Sequence, residues 1–123
     1  MRDSTDSETV ASTGGPFDTP IQVESERHLQ ELRETNRVLL VDFHADWCGP
    51  CQMLEPTVER LASETPTTVA KVDIDDLRSL ARQHQIQGVP TLLLYVDGEL
   101  TERVVGVRND DTLRELVTSH FQQ

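Results

Sequence analysis

An α/β sandwich is the architecture this sequence predicts, and three observations predict it. Apolar runs of strand length alternate with segments of helical periodicity, Asp97-Gly98 is a strong hairpin signal, and an amphipathic segment follows that hairpin. The 123 residues have room for one domain and one core, and with only 4% aromatic residues that core is mostly Leu, Val and Ile.

Taken in order, Ile21 to Val23 reads as a short first strand, and Ser25 as the N-cap of a helix running to about Thr35. Val38 to His44 is a near-continuous apolar run broken by one acid, Asp42, as expected of a central strand buried on both faces. Cys51, Leu54, Val58, Leu61 and Ala62 recur at helical spacing, so a helix opens near Cys48, and Pro56 inside it should kink it. Thr68 to Val72 reads as another strand, and Asp75 or Asp76 as the cap of a short helix through Leu77, Leu80 and Ala81. Thr91 to Val96 and Leu100 to Val105 flank the two-residue turn. The last helix has Leu113, Leu116, Val117 and Phe121 on its apolar face and Asn109 or Asp110 as its cap. No internal repeat is visible, and periodicity alone leaves the strand order open.

Charge narrows the function classes. Asp and Glu outnumber Lys and Arg by 22 to 11, and Lys71 is the only lysine. Such a surface repels nucleic acid and anionic lipid, which argues against both as partners. An acidic surface nearly free of lysine is what a high-salt cytoplasm favours, where screening relieves repulsion among carboxylates; an ordinary acidic protein is the alternative. No segment has the apolar length to span a membrane. Residues 1–19 are acidic and rich in Ser, Thr and Gly, lack the apolar stretch of a secretory signal, and are expected to be a disordered tail. Residues 20–123 then form the domain, and the expected location is the cytoplasm, where a lone cysteine pair is catalytic more often than structural.

That pair is the most informative feature. Trp47, Cys48, Gly49, Pro50 and Cys51 hold both cysteines of the chain, three positions apart, just after an apolar run. A disulfide closing so small a loop cross-links little of the unfolded chain and is a poor staple, so its chemistry is the better reason for it. If a helix begins at Cys48, the free amides and the dipole of its first turn stabilise a thiolate there, and the thiolate is the attacking species in disulfide exchange. Cys48 is then the more exposed thiol and the attacker, and Cys51, one turn further in, faces the core and resolves the mixed disulfide. Gly49 allows close backbone approach, and Pro50 presets a helical φ where a missing N–H costs least.

Trp-Cys-Gly-Pro-Cys resembles the active site of the thioredoxin family. The likeness extends from Val38 to Pro56, with Val41-Asp42-Phe43 before the site, and continues through Lys71-Val72-Asp73-Ile74-Asp75, Gly88-Val89-Pro90-Thr91, Asp97-Gly98 and Gly106 in the family's order and spacing. It covers roughly residues 20 to 123. The resemblance implies a thioredoxin fold, with a central mixed β-sheet flanked by helices on both faces. It also implies a monomeric protein-disulfide reductase that needs no cofactor and no metal, acts on disulfide-containing target proteins and is recharged by a thioredoxin reductase. An oxidising disulfide catalyst or isomerase on the same fold is the nearest rival, and Gly49-Pro50 favours reduction over it, because the oxidising relatives usually carry a histidine between their cysteines.

Other residues have two readings each. Asp42 is either a strand-end acid that reaches water or, as the resemblance implies, a buried acid behind Cys51 that accepts its proton with a raised pKa. Lys71 stands where the family places a lysine near that acid; otherwise it is a strand residue whose stem covers apolar surface. The resemblance implies a cis Val89-Pro90 bond beside the disulfide that exposes the Val89 backbone to a target segment, against an ordinary trans proline at a strand entry. Trp47 covers the redox pair or is a partly buried aromatic, and Asp46 is surface acid or orients its indole. Gly88 and Gly106 line an apolar docking groove or are turn glycines. His44 shares a strand face with Asp42, so it tunes the local proton balance or is a polar replacement. A zinc site would need His28, His44, His84 or His120 to join the two cysteines without a second ligand pair at finger spacing. A redox-independent binding scaffold is the remaining class.

Overall fold

The computed structural model describes residues 18–121, so the tail expected over residues 1–19 lies almost wholly outside the described residues. Five strands, β1 (Ile21–Gln22), β2 (Val38–His44), β3 (Thr68–Asp73), β4 (Thr91–Val96) and β5 (Glu99–Val105), form one sheet in the order β1-β3-β2-β4-β5. β1, β3 and β2 run parallel, whereas β4 and β5 are antiparallel to their neighbours, so the sheet is mixed and β2 is its centre.

Period-two alternation along β2 divides the core. Leu39, Val41 and Phe43 join Leu29 and Leu32 of α1 (Glu26–Thr35) and Leu80 of α3 (Arg78–Gln83) in one cluster. Val38 and Leu40 join Leu54, Val58 and Leu61 of α2 (Gly49–Glu64) and Leu113 and Val117 of α4 (Asp110–Thr118) in the other. Two helices therefore cover each face of the sheet, and both faces of β2 are buried, as a near-continuous apolar run requires. The same alternation assigns Asp42 to the α2 side. Lys71, which follows Val69 on β3 by two residues, takes that side as well.

Local chemistry accounts for the element ends. The Ser25 hydroxyl accepts from the His28 amide, and the Asn109 side chain accepts from the Thr112 amide. Asp97 and Gly98 have φ of 54° and 84°, the double left-handed turn that matches strand twist in a hairpin. One expected cap is corrected. α3 starts from Leu77 without a side-chain cap, because Asp73 Oδ1 accepts from the amides of Asp75 and Asp76 and turns the chain before the helix begins.

Candidate active site

The loop leaving β2 is tied down before the cysteines are reached. The Cys48 amide donates to the Ala45 carbonyl at 3.2 Å, and Gln52 Nε2 donates to the Asp46 carbonyl at 2.9 Å. Cys48 is the N-cap of α2, and its Sγ accepts from the Cys51 amide at 3.1 Å. The two cysteines are joined as a disulfide with Cα atoms 5.2 Å apart. Pro50 occupies the helix's first turn, where its missing N–H has no intrahelical partner to lose.

Exposure does not separate the two thiols. In the disulfide each residue is only 4% exposed, and the expectation that Cys48 is the more exposed thiol concerns the reduced pair. Their electrostatic surroundings do separate them. Cys48 Sγ sits at the positive end of α2 with an amide pointed at it, 3.6 Å from the Val89 carbonyl oxygen. Cys51 lies within the first turn and borders a cleft of about 230 Å³ whose lining includes His44, Gln52, Glu55 and Lys71.

Asp42 lies on the α2 side of the central strand. It is 1% exposed, and its Oδ1 has no hydrogen-bond partner among the described residues, which removes the reading of a strand-end acid that reaches water. Burial pushes its carboxyl up to about 7, with Lys71 pulling it down and Glu55 pushing it further up. Lys71 is the register partner of Asp42 on β3, yet its ammonium pairs with both oxygens of Glu55. Glu55 is a residue the sequence reading missed. Its signal was its position one turn after Cys51, on the same helix face, in a chain whose single lysine needs a counter-charge. His44 lines the cleft with a buried Nε2 that has no partner among the described residues, and desolvation, then Lys71, holds its ring below the usual imidazole range.

The rim is built from separate loops. The Val89–Pro90 peptide is cis, as the resemblance implied, and the Pro90 carbonyl accepts from the Gly106 amide at 2.8 Å, joining the end of β5 to this loop. Gly106 has φ of 89°, a value that favours glycine. Gly49 and Gly88 differ from it: a Cβ at either would meet nothing within 4 Å, so no close approach inside the chain requires glycine there, which corrects that reason for Gly49. Trp47 is 68% exposed, which sets aside a partly buried aromatic. Its Nε1 donates to Asp75 at 2.9 Å, so Asp75 orients the indole and Asp46 does not. Ile74 and Val89 pack against the cysteines and give the rim an apolar character.

The comparisons with known proteins bear on this arrangement. The family model for thioredoxin matches residues 19–119. This chain belongs to the thioredoxin family. A thioredoxin of Chlamydia trachomatis is 43% identical over 101 residues, which cover 81% of this chain and 98% of that protein. A mutant thioredoxin of Halobacterium salinarum, known as a structure, is 47% identical with a TM-score of 0.82, covering 90% of this chain and 95% of the other. A bifunctional thioredoxin reductase/thioredoxin of Mycobacterium leprae is 35% identical over 113 residues, which cover 90% of this chain and 25% of that protein. The fold is the thioredoxin fold, and with Cys48 and Cys51 at the family's spacing the chain is a thiol–disulfide oxidoreductase.

Proposed function

We propose that this thioredoxin-family protein reduces disulfides of other proteins, with Cys48 as the attacking thiol, Cys51 as the resolving thiol and Asp42 as the acceptor of the Cys51 proton. The observation that carries the reading is the Cys51 amide aimed at Cys48 Sγ at the N-terminus of α2, which favours negative charge on that sulfur. In the first step the Cys48 thiolate attacks one sulfur of the target disulfide, and the other leaves as a thiolate. In the second, Cys51 gives its proton to Asp42 and attacks Cys48 Sγ, so that the target's second sulfur leaves and Cys48–Cys51 closes. Two electrons pass from the dithiol to the target, and Lys71 tunes the proton transfer through its charge. A carboxyl of pKa about 7 suits a general base near neutral pH.

Trp47, Gly49, Pro50, Gly88, Val89, Pro90 and Gly106 form the target-binding rim in this reading. The apolar contacts of Ile74 and Val89 against the cysteines support it, the open space beside Gly49 and Gly88 leaves both positions free of the chain itself, and an extended target segment would pair with the Val89 backbone. Recharging by a thioredoxin reductase is supported by the Mycobacterium leprae relative, which carries both names in one chain. No described helix is long and apolar enough to cross a membrane, and a cytoplasmic location, a monomeric state and a saline solvent complete the proposal. The last is supported by the acid excess and by the likeness to a protein from a halophile.

Trapping tests the assignment. Cys51→Ser should capture disulfide-containing proteins as stable mixed disulfides, and Cys48→Ser should capture none and lose disulfide reduction. The reverse pattern would exchange attacker and resolver.

A further inference from the structure

Asp42 and Lys71 are register partners on adjacent parallel strands, with both side chains on the α2 face of the sheet. An acid buried in that position would be expected to take the ammonium as its counter-charge. It does not. Lys71 Nζ donates to both carboxylate oxygens of Glu55, while Asp42 Oδ1 stays buried without a partner among the described residues. Glu55 reaches the ammonium because it follows Cys51 by one helical turn, and Cys51, Glu55 and Lys71 line the same cleft. The charged groups that act on Asp42 are Lys71 from β3 and Glu55 from α2; His44 follows it by two residues on β2, the residue opposite on β4 is Leu92, and Cys51 joins the titratable groups only in the reduced protein.

We propose that Glu55 is a positioning residue for Asp42: by pairing with the Lys71 ammonium it keeps that charge from bonding Asp42 directly, weakens its pull, and so keeps the Asp42 carboxyl basic enough to take the Cys51 proton. This rests on Asp42 as the proton acceptor in the reading above. Glu55 acts through Lys71, and its carboxylate adds a second negative charge near Asp42 that favours the protonated form.

The test follows the Asp42 side-chain carboxyl by carbon-13 NMR across pH in the oxidised protein, where no cysteine titrates. Glu55→Gln should lower the Asp42 titration midpoint by about one pH unit, because the freed ammonium turns to Asp42 and the second charge is gone. Glu55→Asp keeps the charge and should leave the midpoint within a few tenths of a unit of wild type. In single-turnover assays, Glu55→Gln should move the acid limb of mixed-disulfide resolution down by the same amount. An unchanged or raised midpoint in Glu55→Gln, or equal shifts in both variants, would overturn the proposal. Whether Asp42 serves as the base is judged separately, by whether Asp42→Asn slows resolution, so failure of that reading is distinct from failure of the Glu55 coupling.

Discussion

Asp42 keeps a carboxyl in the core whose Oδ1 has no partner among the described residues, and the consequence is a stability that depends on pH. Its folded pKa lies near 7, against 3.8 for an unhindered Asp. Between those values the folded state holds a proton that the unfolded chain has released, so stability is highest below pH 4 as far as this group is concerned and is lost as pH rises through 7. Asp42→Asn has a neutral side chain of the same shape at every pH. It should therefore be more stable than wild type by about 1 to 4 kcal/mol at pH 8, with the gain shrinking towards pH 4, and should turn over more slowly. Denaturant unfolding of the oxidised proteins at pH 5 and pH 8 checks the first claim, and an equal gain at both pH values would remove the ionisation argument. Asp42, the cysteine pair and Lys71 were legible in the sequence because each is anomalous there: an acid within an apolar run, the only two cysteines, the only lysine. Asp75 was not legible and Glu55 only faintly so, through its place one turn after Cys51, since each is one acid among 22 and only the folded chain brings it to the Trp47 indole or to Lys71.

At the level of elements, α4 shows how a helix end is both capped and docked. Asn109 accepts from the Thr112 amide at 2.8 Å, and the next residue, Asp110, takes the Thr57 hydroxyl and the Arg60 guanidinium of α2. Those two hydrogen bonds, Thr57 first, hold the Asp110 carboxyl below the usual carboxylate range. Asn109→Ala should cost about 1 kcal/mol, read as a lower denaturation midpoint, while disulfide reduction stays at the wild-type rate. An unchanged midpoint would mean that water replaces the cap without loss. The helices and strands followed from periodicity because burial on a sheet face imposes it, and Ser25 and Asn109 followed from their place before amphipathic runs. The start of α3 did not. Asp75 and Asp76 were the expected caps, and instead their amides are taken by Asp73, a role that depends on where β3 ends. The strand order also lay beyond local pattern, since parallel pairing of β1 with β3 joins segments separated by α1, β2 and α2.

Over the whole molecule, carboxylates outnumber cations two to one, and exposed arginines already engage acids, as in Arg27–Glu31, Arg37–Asp97 and Arg114–Glu64. The remaining acids outnumber the remaining cations and repel one another, and folding brings them closer together. Added salt weakens both effects, but exposed pairs contribute little individually, so relief of repulsion should dominate. Thermal stability should therefore rise with potassium chloride. The shape of the rise carries the argument further, because the Debye length falls from about 10 Å at 0.1 M to about 3 Å at 1 M and changes little beyond. Screening predicts a melting temperature that climbs most steeply below about 1 M and then flattens, whereas salt acting on apolar burial would keep raising it in molar salt. Residues 20–123 carry −8 of the −11 charge, so a chain lacking residues 1–19 should show most of the same climb. A melting temperature that stayed level or fell from 0.1 to 1 M would reject the saline reading and leave the disulfide chemistry of Cys48 and Cys51 standing.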